Sequence, residues 1–258
     1  MDEPFKPAVE PQAFLTKKLV ERRGSVMKLD HVVYFTEKDL SQIVDGQRGE
    51  GRHAIIGGRH EKWGTYNALL YMKNAYVEWL AVEHSEIAKE AHLPLIDLLL
   101  TDLQEGEGWG AICLSVEGIE RFNEEIENKG FRTSGVLDAQ RRTVDGQLLK
   151  WKLLFVEQSI SAELPYPFFI EWEEPEENRT ARLKAEGSLS PENERLAIQE
   201  CIFHVEDPLK ETAEWAILLS QKVGDAHQIA LPNVTLKFVE HQVKNDRLAD
   251  VVIGQAER

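Results

Sequence analysis

Three ionisable side chains interrupt stretches of sequence that are otherwise apolar. His31 lies within "LDHVVYF", Glu78 within "YVEWLAV" and Glu171 within "FFIEW". Side chains alternate between the two faces of a strand, so each of these residues shares a face with apolar neighbours. A carboxylate left unpaired on such a face is costly or takes a raised pKa. Each carboxylate therefore needs a metal ion, an Arg or Lys partner, or a proton.

A glycine-rich loop precedes the strand that carries two further polar residues. Gly57 and Gly58 come just before His60, and glycine allows the backbone to approach a ligand closely. Thr65 and Asn67 share one face of the following strand. We predict that His60, Thr65 and Asn67 line a pocket that binds substrate, and a polar hairpin tip is the alternative.

Two adjacent arginines offer a second kind of binding chemistry. Arg141 and Arg142 precede Asp145-Gly146, a dipeptide typical of a hairpin turn. Guanidinium groups bind carboxylate or phosphate through two parallel hydrogen bonds. We predict that both arginines and Trp151, on the strand after the turn, contact substrate. Ordinary surface charge is the alternative for the arginines.

Composition and motif content exclude several classes of protein. The net charge of −15 without a long basic tract disfavours nucleic acid and anionic membranes as partners. No apolar run approaches the ~20 residues that span a bilayer, and no signal-peptide pattern is present. Two widely separated cysteines suit a reducing compartment, so we predict a cytoplasmic protein. Nucleotide, zincin and serine-hydrolase chemistry lack their phosphate-loop, HExxH and GxSxG motifs.

A pattern of one strand, one helix and then further strands occurs three times along the chain. His31, Ala111 and Glu200 hold equivalent positions in the three first strands, which indicates an internally repeated unit. The predicted divisions are an N-terminal extension, a first module with a connecting helix, a second module, and a third, divergent module: 1–26, 27–105, 106–180 and 196–258.

The N-terminal extension is expected to contribute little to the core. It carries three prolines, at positions 4, 7 and 11, which disfavour regular structure before residue 12. Arg22-Arg23 could be encoded by a ribosome-binding sequence, so one interpretation is a start codon assigned too far upstream. The other is a genuine extension with a helix over 13–23.

The motifs, in this order, resemble the vicinal oxygen chelate superfamily, which includes glyoxalase I and extradiol dioxygenases. The superfamily resemblance rests on "LDHVVYF", "YVEWLAV", "AICLSVEGIE" and "FFIEW". Within the superfamily, "GGRHEKWGTYN" and "DGQLLKW" are similar to the glyoxalase-like group. The resemblance implies an α+β fold in which repeated βαβββ modules form curved, partly open mixed β-sheets with helices outside.

The resemblance also implies a divalent metal ion in the concavity of the sheet. Carried over position by position, its ligands are His31, Glu78 and Glu171, while the fourth position falls on Ala111, which cannot bind a metal. Mn²⁺, Fe²⁺, Ni²⁺ and Zn²⁺ suit one imidazole and two carboxylates. Glu78 and Glu171 are then the candidates for moving a proton. Ala111 argues against glyoxalase I activity itself.

Two functions from different classes remain open. The first is a metal-dependent enzyme, an isomerase, lyase or dioxygenase, that acts on a small oxygenated metabolite. The second is a metal-free protein of the same fold that binds or sequesters a small molecule, with its carboxylates paired to Arg141, Arg142 or Lys150. A purely structural His31 is a further alternative. In each case the expected partner is a small molecule, and a homodimer is one possible assembly.

Overall fold

The computed structural model describes residues 27–142, 148–242 and 244–256. The predicted extension at 1–26 and the predicted turn at 145–146 lie outside the described residues. The side chain of Arg142 lies outside them as well.

Twelve strands form two sheets within the described residues. The strands are β1 (Lys28–Phe35), β2 (Ile55–His60), β3 (Thr65–Tyr71), β4 (Tyr76–Val82), β5 (Gly108–Ser115), β6 (Leu137–Arg142), β7 (Leu148–Leu154), β8 (Phe168–Trp172), β9 (Leu196–Val205), β10 (Gln228–Leu231), β11 (Val234–Glu240) and β12 (Arg247–Gln255). The helices are α1 (Leu40–Gly49), α2 (Ser85–Glu90), α3 (Pro94–Asp102), α4 (Ile119–Asn128), α5 (Glu176–Ala185) and α6 (Pro208–Leu219), with a short 3-10 turn at Asn193–Arg195.

The first sheet contains two copies of the same βαβββ unit. Its eight strands run in the order β2–β3–β4–β1–β5–β8–β7–β6. In each copy the first strand pairs in parallel with the last, β1 with β4 and β5 with β8. Strands β1 and β5 pair antiparallel and join the copies. The predicted α+β fold built from repeated βαβββ modules is confirmed.

The second sheet has four strands, half as many as the first, and in it too a first strand pairs in parallel with a later one. Its order is β10–β11–β9–β12, and β9 pairs in parallel with β11 and antiparallel with β12. Strand β10 did not follow from the sequence pattern. The second sheet packs on one face of the first, because Val32 and Leu114 share a buried cluster with Cys201 and Phe203. We call the opposite face of the first sheet the pocket face.

Helices α1 and α4 pack on the side of the first sheet away from the pocket face. Leu40 of α1 contacts Ala68 and Ala81, and Phe122 of α4 meets Phe169 edge-on at 4.7 Å between ring centroids. None of the described helices is long and apolar enough to cross a membrane.

The connection between the two copies lies on the pocket face. The single helix expected there is divided into α2 and α3, because His92 takes a left-handed backbone conformation (φ 46°) and Pro94 begins a new helix. Ile96 and Leu99 of α3 pack with Val33 of β1. These two helices therefore cover part of the pocket face near the ends of β1 and β4.

Helix α5 covers another part of the same face. Leu183 of α5 packs with Leu69, Tyr71 and Tyr76. The opening that remains on the pocket face contains the candidate site.

Candidate functional site

A pocket lies on the pocket face of the first sheet. Its empty space is about 720 Å³, counting the part that is open to solvent. Most of its wall is apolar, and its polar side chains include His31, His60, Asn67, Glu78 and Arg141. These residues belong to five different strands, so the curvature of the sheet brings together positions that are far apart in the sequence.

His31 and Glu78 meet in this pocket because β1 and β4 are neighbouring parallel strands. His31 Nε2 lies 3.3 Å from Glu78 Oε2, and both residues are buried, with 4% and 7% exposure. The His31 ring stacks on Tyr76 at 4.5 Å and meets the edge of Phe168 at 5.4 Å. The aromatic neighbours fix the imidazole plane beside the carboxylate.

Asp30 reaches His31 from the neighbouring position in β1. The pairing of β1 with β5 shifts between Leu29 and His31, and Leu29 consequently packs on the face opposite to Val33. His31 Nδ1 donates to Asp30 Oδ1 at 2.8 Å. A carboxylate on Nδ1 fixes the tautomer and leaves Nε2 directed toward Glu78.

Arg179 and Trp172 hold the other oxygen of Asp30. Trp172 Nε1 donates to Asp30 Oδ2 at 2.9 Å, and Arg179 Nη1 donates to the same oxygen at 2.8 Å. The guanidinium of Arg179 also lies 4.2 Å from the Trp172 ring centroid, a cation–π contact. Burial acts to raise the pKa of Asp30, but Arg179 and His31 outweigh it and hold that pKa well below its usual range. Asp30 is therefore an anion behind His31.

Asn67 holds Glu78 from the opposite side. Asn67 Nδ2 donates to Glu78 Oε1 at 2.6 Å. The Gly58 backbone N–H donates to Asn67 Oδ1 at 2.8 Å, which fixes the orientation of the amide. Oε1 of Glu78 is thus engaged, while Oε2 faces His31.

Gly57 makes room for Asn67. A Cβ atom at Gly57 would lie 2.0 Å from Asn67 Oδ1. We expect Gly57→Ala to push the amide away from Glu78 and to lower the free energy of unfolding by about 1–3 kcal/mol, as overpacking does. Urea unfolding measures this change. Gly46→Ala is the control, because a Cβ there meets nothing within 4 Å; equal stability of the two variants would contradict the prediction.

The remaining predicted pocket residues lie around this pair. His60 Nδ1 is 3.0 Å from Thr65 Oγ1, and Thr65 is fully buried behind it. Burial lowers the pKa of His60 by more than the nearby Glu78 carboxylate raises it, and Arg141 lowers it further, so its imidazole is neutral near pH 7. Trp151 lines the same pocket.

Arg141 lies beside Gly58, which belongs to β2 and not to the loop that the sequence pattern predicted. Its Cδ and Nη1 atoms are 3.6 Å from the position that a Cβ on Gly58 would take. A Cβ at Gly58 would therefore make only an ordinary contact with Arg141, whereas a Cβ at Gly57 would clash with Asn67. The close backbone approach that these glycines predicted is therefore required at Gly57.

Glu171 is not in this pocket. Its two carboxylate oxygens accept from the backbone N–H groups of Gly118 and Ile119, at 2.6 and 3.2 Å. These two N–H groups lie at the N-terminus of α4, where the helix dipole favours a carboxylate. Along β8, Ile170 faces the pocket, and alternation directs Glu171 and Phe169 to the helix-covered side. Of the three expected metal ligands, the structure brings together His31 and Glu78.

A metal ion has two potential donor sets here. Among the described residues, Asp30, His31 and Cys113 offer ligand atoms within 4.8 Å of one another and could hold an ion. That set fits poorly, because Arg179 already neutralises Asp30 and burial raises the pKa of Cys113 well above its usual value.

His31 and Glu78 form the better donor pair. Two ligands that each lie about 2.0–2.2 Å from one ion are commonly near 3 Å apart, and Nε2 and Oε2 are separated by 3.3 Å. Asp30 on Nδ1 is the carboxylate that a metal-binding histidine typically has behind it. Ala111 supplies no ligand and lines a neighbouring cavity instead.

Sequence reasoning missed Asp30, Trp172 and Arg179. Arg179 lies on α5, a helix that the sequence analysis did not predict. The signals for this helix were Glu176 and Glu177 in its first turn and basic residues in its last. Nothing in the sequence pattern indicated that α5 would lie on the pocket face.

The family model for a glyoxalase-like domain matches residues 29–219. The chain therefore belongs to the glyoxalase-like domain family, as the predicted resemblance to the vicinal oxygen chelate superfamily indicated. Comparison with curated proteins gave no match.

Comparison with solved structures gave matches over much of the chain. A hypothetical protein from Staphylococcus aureus is 22% identical, with a TM-score of 0.77 over 90% of this chain and 93% of its own. Methylmalonyl-CoA epimerase from Mycobacterium tuberculosis is 16% identical, with a TM-score of 0.42 over 61% and 95%. The Streptomyces coelicolor methylmalonyl-CoA epimerase is 18% identical, with a TM-score of 0.40 over 57% and 97%.

Proposed function

We propose that this protein is an enzyme that removes a proton from the carbon beside a carbonyl group in a small oxygenated metabolite. Glu78 is the base. The observation that carries this proposal is the buried pair of Glu78 Oε2 and His31 Nε2, 3.3 Å apart at a pocket with largely apolar walls. Isomerisations and eliminations that pass through an enolate both begin with this step.

The surroundings of Glu78 suit a base. The Asn67 amide binds Oε1 and leaves Oε2 to take the proton. Apolar walls exclude water and lower the local dielectric, which strengthens hydrogen bonds from the protein to the negative charge that develops on the enolate oxygen. The protonated Glu78 can return the proton to the same carbon or to its neighbour, which gives epimerisation or isomerisation.

The other polar residues bind the oxygen atoms of the substrate. Neutral His60 can donate one hydrogen bond, and Arg141 can bind a carboxylate or a second carbonyl oxygen. Trp151 provides an aromatic surface beside them. Arg142 stays a prediction, since its side chain lies outside the described residues.

A divalent ion would be held by His31 and Glu78, with Asp30 orienting the histidine, and Oε2 of Glu78 would act as the base only when it is not bound to that ion. When bound, Mn²⁺, Fe²⁺, Ni²⁺ or Zn²⁺ would polarise the carbonyl oxygen of the substrate and stabilise the enolate. The second candidate function is a metal-free protein that binds a small molecule. It is favoured by the positions of Ala111 and Glu171, which leave two donors where the family resemblance implies four.

Hydrogen exchange in D₂O tests the proposal across several chemical classes of substrate at once. A panel of 2-hydroxy ketones, 2-oxo acids and 3-oxo esters is incubated with the protein, with and without each divalent ion, and deuterium on the adjacent carbon is measured by mass spectrometry. We expect exchange with at least one compound, and a loss of about 10²-fold or more in Glu78→Gln.

Glu171→Gln is the matched control and should retain the exchange rate, because Glu171 faces α4. Equal rates in the wild type and Glu78→Gln would contradict the assignment of the base. Tight binding of a panel member without any exchange would support the metal-free binding protein instead.

A further inference from the structure

A second cavity lies beside the pocket and shares part of its wall. Its empty space is about 500 Å³, counting the part that is open to solvent. Leu95, Phe155 and Phe168 line both spaces. Phe155 and Phe168 stack at 5.3 Å between centroids, and Phe168 in turn meets the His31 ring edge-on. An apolar surface thus continues from His31 into the second cavity.

Ala111 leaves this second cavity open on the sheet side. It lies on β5 opposite Val33, and its single methyl group lines the cavity together with Leu98 of α3. A ligand-type or long apolar side chain at position 111 would occupy space that is empty here. Ala111 therefore lacks the metal-binding side chain that the family resemblance implies, and it also leaves this part of the second cavity empty.

The charges of the second cavity disfavour an anionic occupant. Among the described residues that line it, Arg247 is the single cation. Its Nε and Nη2 atoms donate to the two oxygens of Asp102 at 2.9 and 3.0 Å. Nη1 and Nη2 also donate to the carbonyl oxygens of Glu163 and Ser161. Arg247 is committed to these partners and is not available for a carboxylate or phosphate.

We propose that the second cavity receives an uncharged alkyl tail of the substrate whose carbonyl end lies at Glu78. The position of the carbonyl end rests on the proposed function. The substrate class is then a medium-chain carbonyl compound with its polar oxygens at one end and no charge at the other.

A chain-length series tests this substrate class by binding alone. Straight-chain 1-hydroxy-2-alkanones of increasing length are titrated calorimetrically into the wild type and into Glu78→Gln, which binds without turnover. Burial of one methylene is worth about 0.8 kcal/mol, so affinity should rise by up to about fourfold for each added methylene until the cavity is filled. Affinity that does not change with chain length would overturn the proposal.

Two variants that fill the second cavity test whether the alkyl tail binds there. Ala111→Leu should remove the dependence on chain length, whereas Ala230→Leu, on the exposed surface of β10, should retain it. Leu95→Trp changes a half-buried residue on the shared wall, and it serves as the second variant if thermal melting shows that Ala111→Leu is not folded. Retention of the full dependence in a folded cavity-filling variant would overturn the proposal.

The inference and the proposed function can fail separately. Deuterium exchange without dependence of affinity on chain length would overturn the tail cavity and leave Glu78 as the base. Dependence of affinity on chain length without exchange would support the tail cavity and overturn the enzyme.

Discussion

Replacement of Arg179 by methionine is expected to lower the free energy of unfolding by about 3–5 kcal/mol, because it leaves the buried carboxylate of Asp30 without its cation. The side chains of Arg179 and Asp30 are 15% and 4% exposed, so water cannot replace the guanidinium well. Chemical denaturation of the purified variant measures the loss.

The control for Arg179→Met is Lys184→Met on the same helix. Lys184 pairs with Glu194, and the two side chains are 46% and 37% exposed, so this change should cost no more than about 1 kcal/mol. Asp30→Asn added to Arg179→Met should recover part of the stability, because it removes the unpaired charge. Equal stability of Arg179→Met and Lys184→Met would show that Asp30 does not depend on Arg179.

The same pair predicts a change in acid stability. The pKa of Asp30 is depressed in the folded protein, so this residue contributes stability above the ordinary aspartate pKa of about 3.9. That contribution is lost as the pH falls toward the lower folded-state pKa. Without Arg179 the pKa of Asp30 in the folded protein rises, and Asp30 no longer contributes this pH-dependent stability. The free energy of unfolding of the wild type should therefore fall more between about pH 5 and pH 3 than that of Arg179→Met.

The second large effect concerns the response to divalent ions. An ion that binds only the folded protein stabilises it by about 2.7 kcal/mol at one hundred times its dissociation constant. Melting temperature should therefore fall with a chelator and recover with added Mn²⁺, Zn²⁺ or Ni²⁺. Glu78→Ala should abolish the response, because one of the two donors is removed.

Glu171→Ala tests whether the ion is held by His31 and Glu78 alone or also by Glu171, as the family resemblance implied. It should cost about 1 kcal/mol of stability through the lost hydrogen bonds to α4, while the response to ions persists. Loss of that response in Glu171→Ala would restore Glu171 as a ligand. A wild type that responds to no divalent ion would support the metal-free binding protein.

Pairing rules explain why part of the site could be predicted from the sequence. Alternation along "LDHVVYF" and "YVEWLAV" directs His31 and Glu78 to apolar faces, and parallel pairing of the first and last strands in a βαβββ unit makes them neighbours. The glycines before His60 likewise predicted close approach of the backbone to another group, and Gly57 provides it for Asn67. These glycines lie in β2, however, and not in the predicted loop.

Glu171 shows the limit of the same rule. Alternation separates the two faces of a strand, but it does not tell which face is the concave one. In "FFIEW" both faces are apolar apart from Glu171, so the sequence pattern could not distinguish a pocket from the packing surface of α4. The distinction depends on α4, whose first backbone N–H groups bind the carboxylate.

Asp30 and the helices on the pocket face could not be predicted for a different reason. The position of Asp30 depends on a local shift in strand pairing, which a hydrophobic pattern does not reveal. Helices α2, α3 and α5 reach the pocket face through tertiary packing of short apolar segments. In the sequence Arg179 is one of many charged residues in a polar stretch, and its contact with Asp30 is evident only from the fold.

A crystal structure of the protein soaked with Mn²⁺ and an alkyl hydroxamate, a mimic of an enolate, tests most directly whether His31 and Glu78 form the reacting centre. We predict hydroxamate oxygens within hydrogen-bonding or coordination distance of Glu78 Oε2 and His31 Nε2, with any Mn²⁺ identified by its anomalous signal between these two atoms. Hydroxamate or Mn²⁺ bound instead at Glu171, or at Asp30 and Cys113, with the His31–Glu78 pair left free, would contradict this assignment.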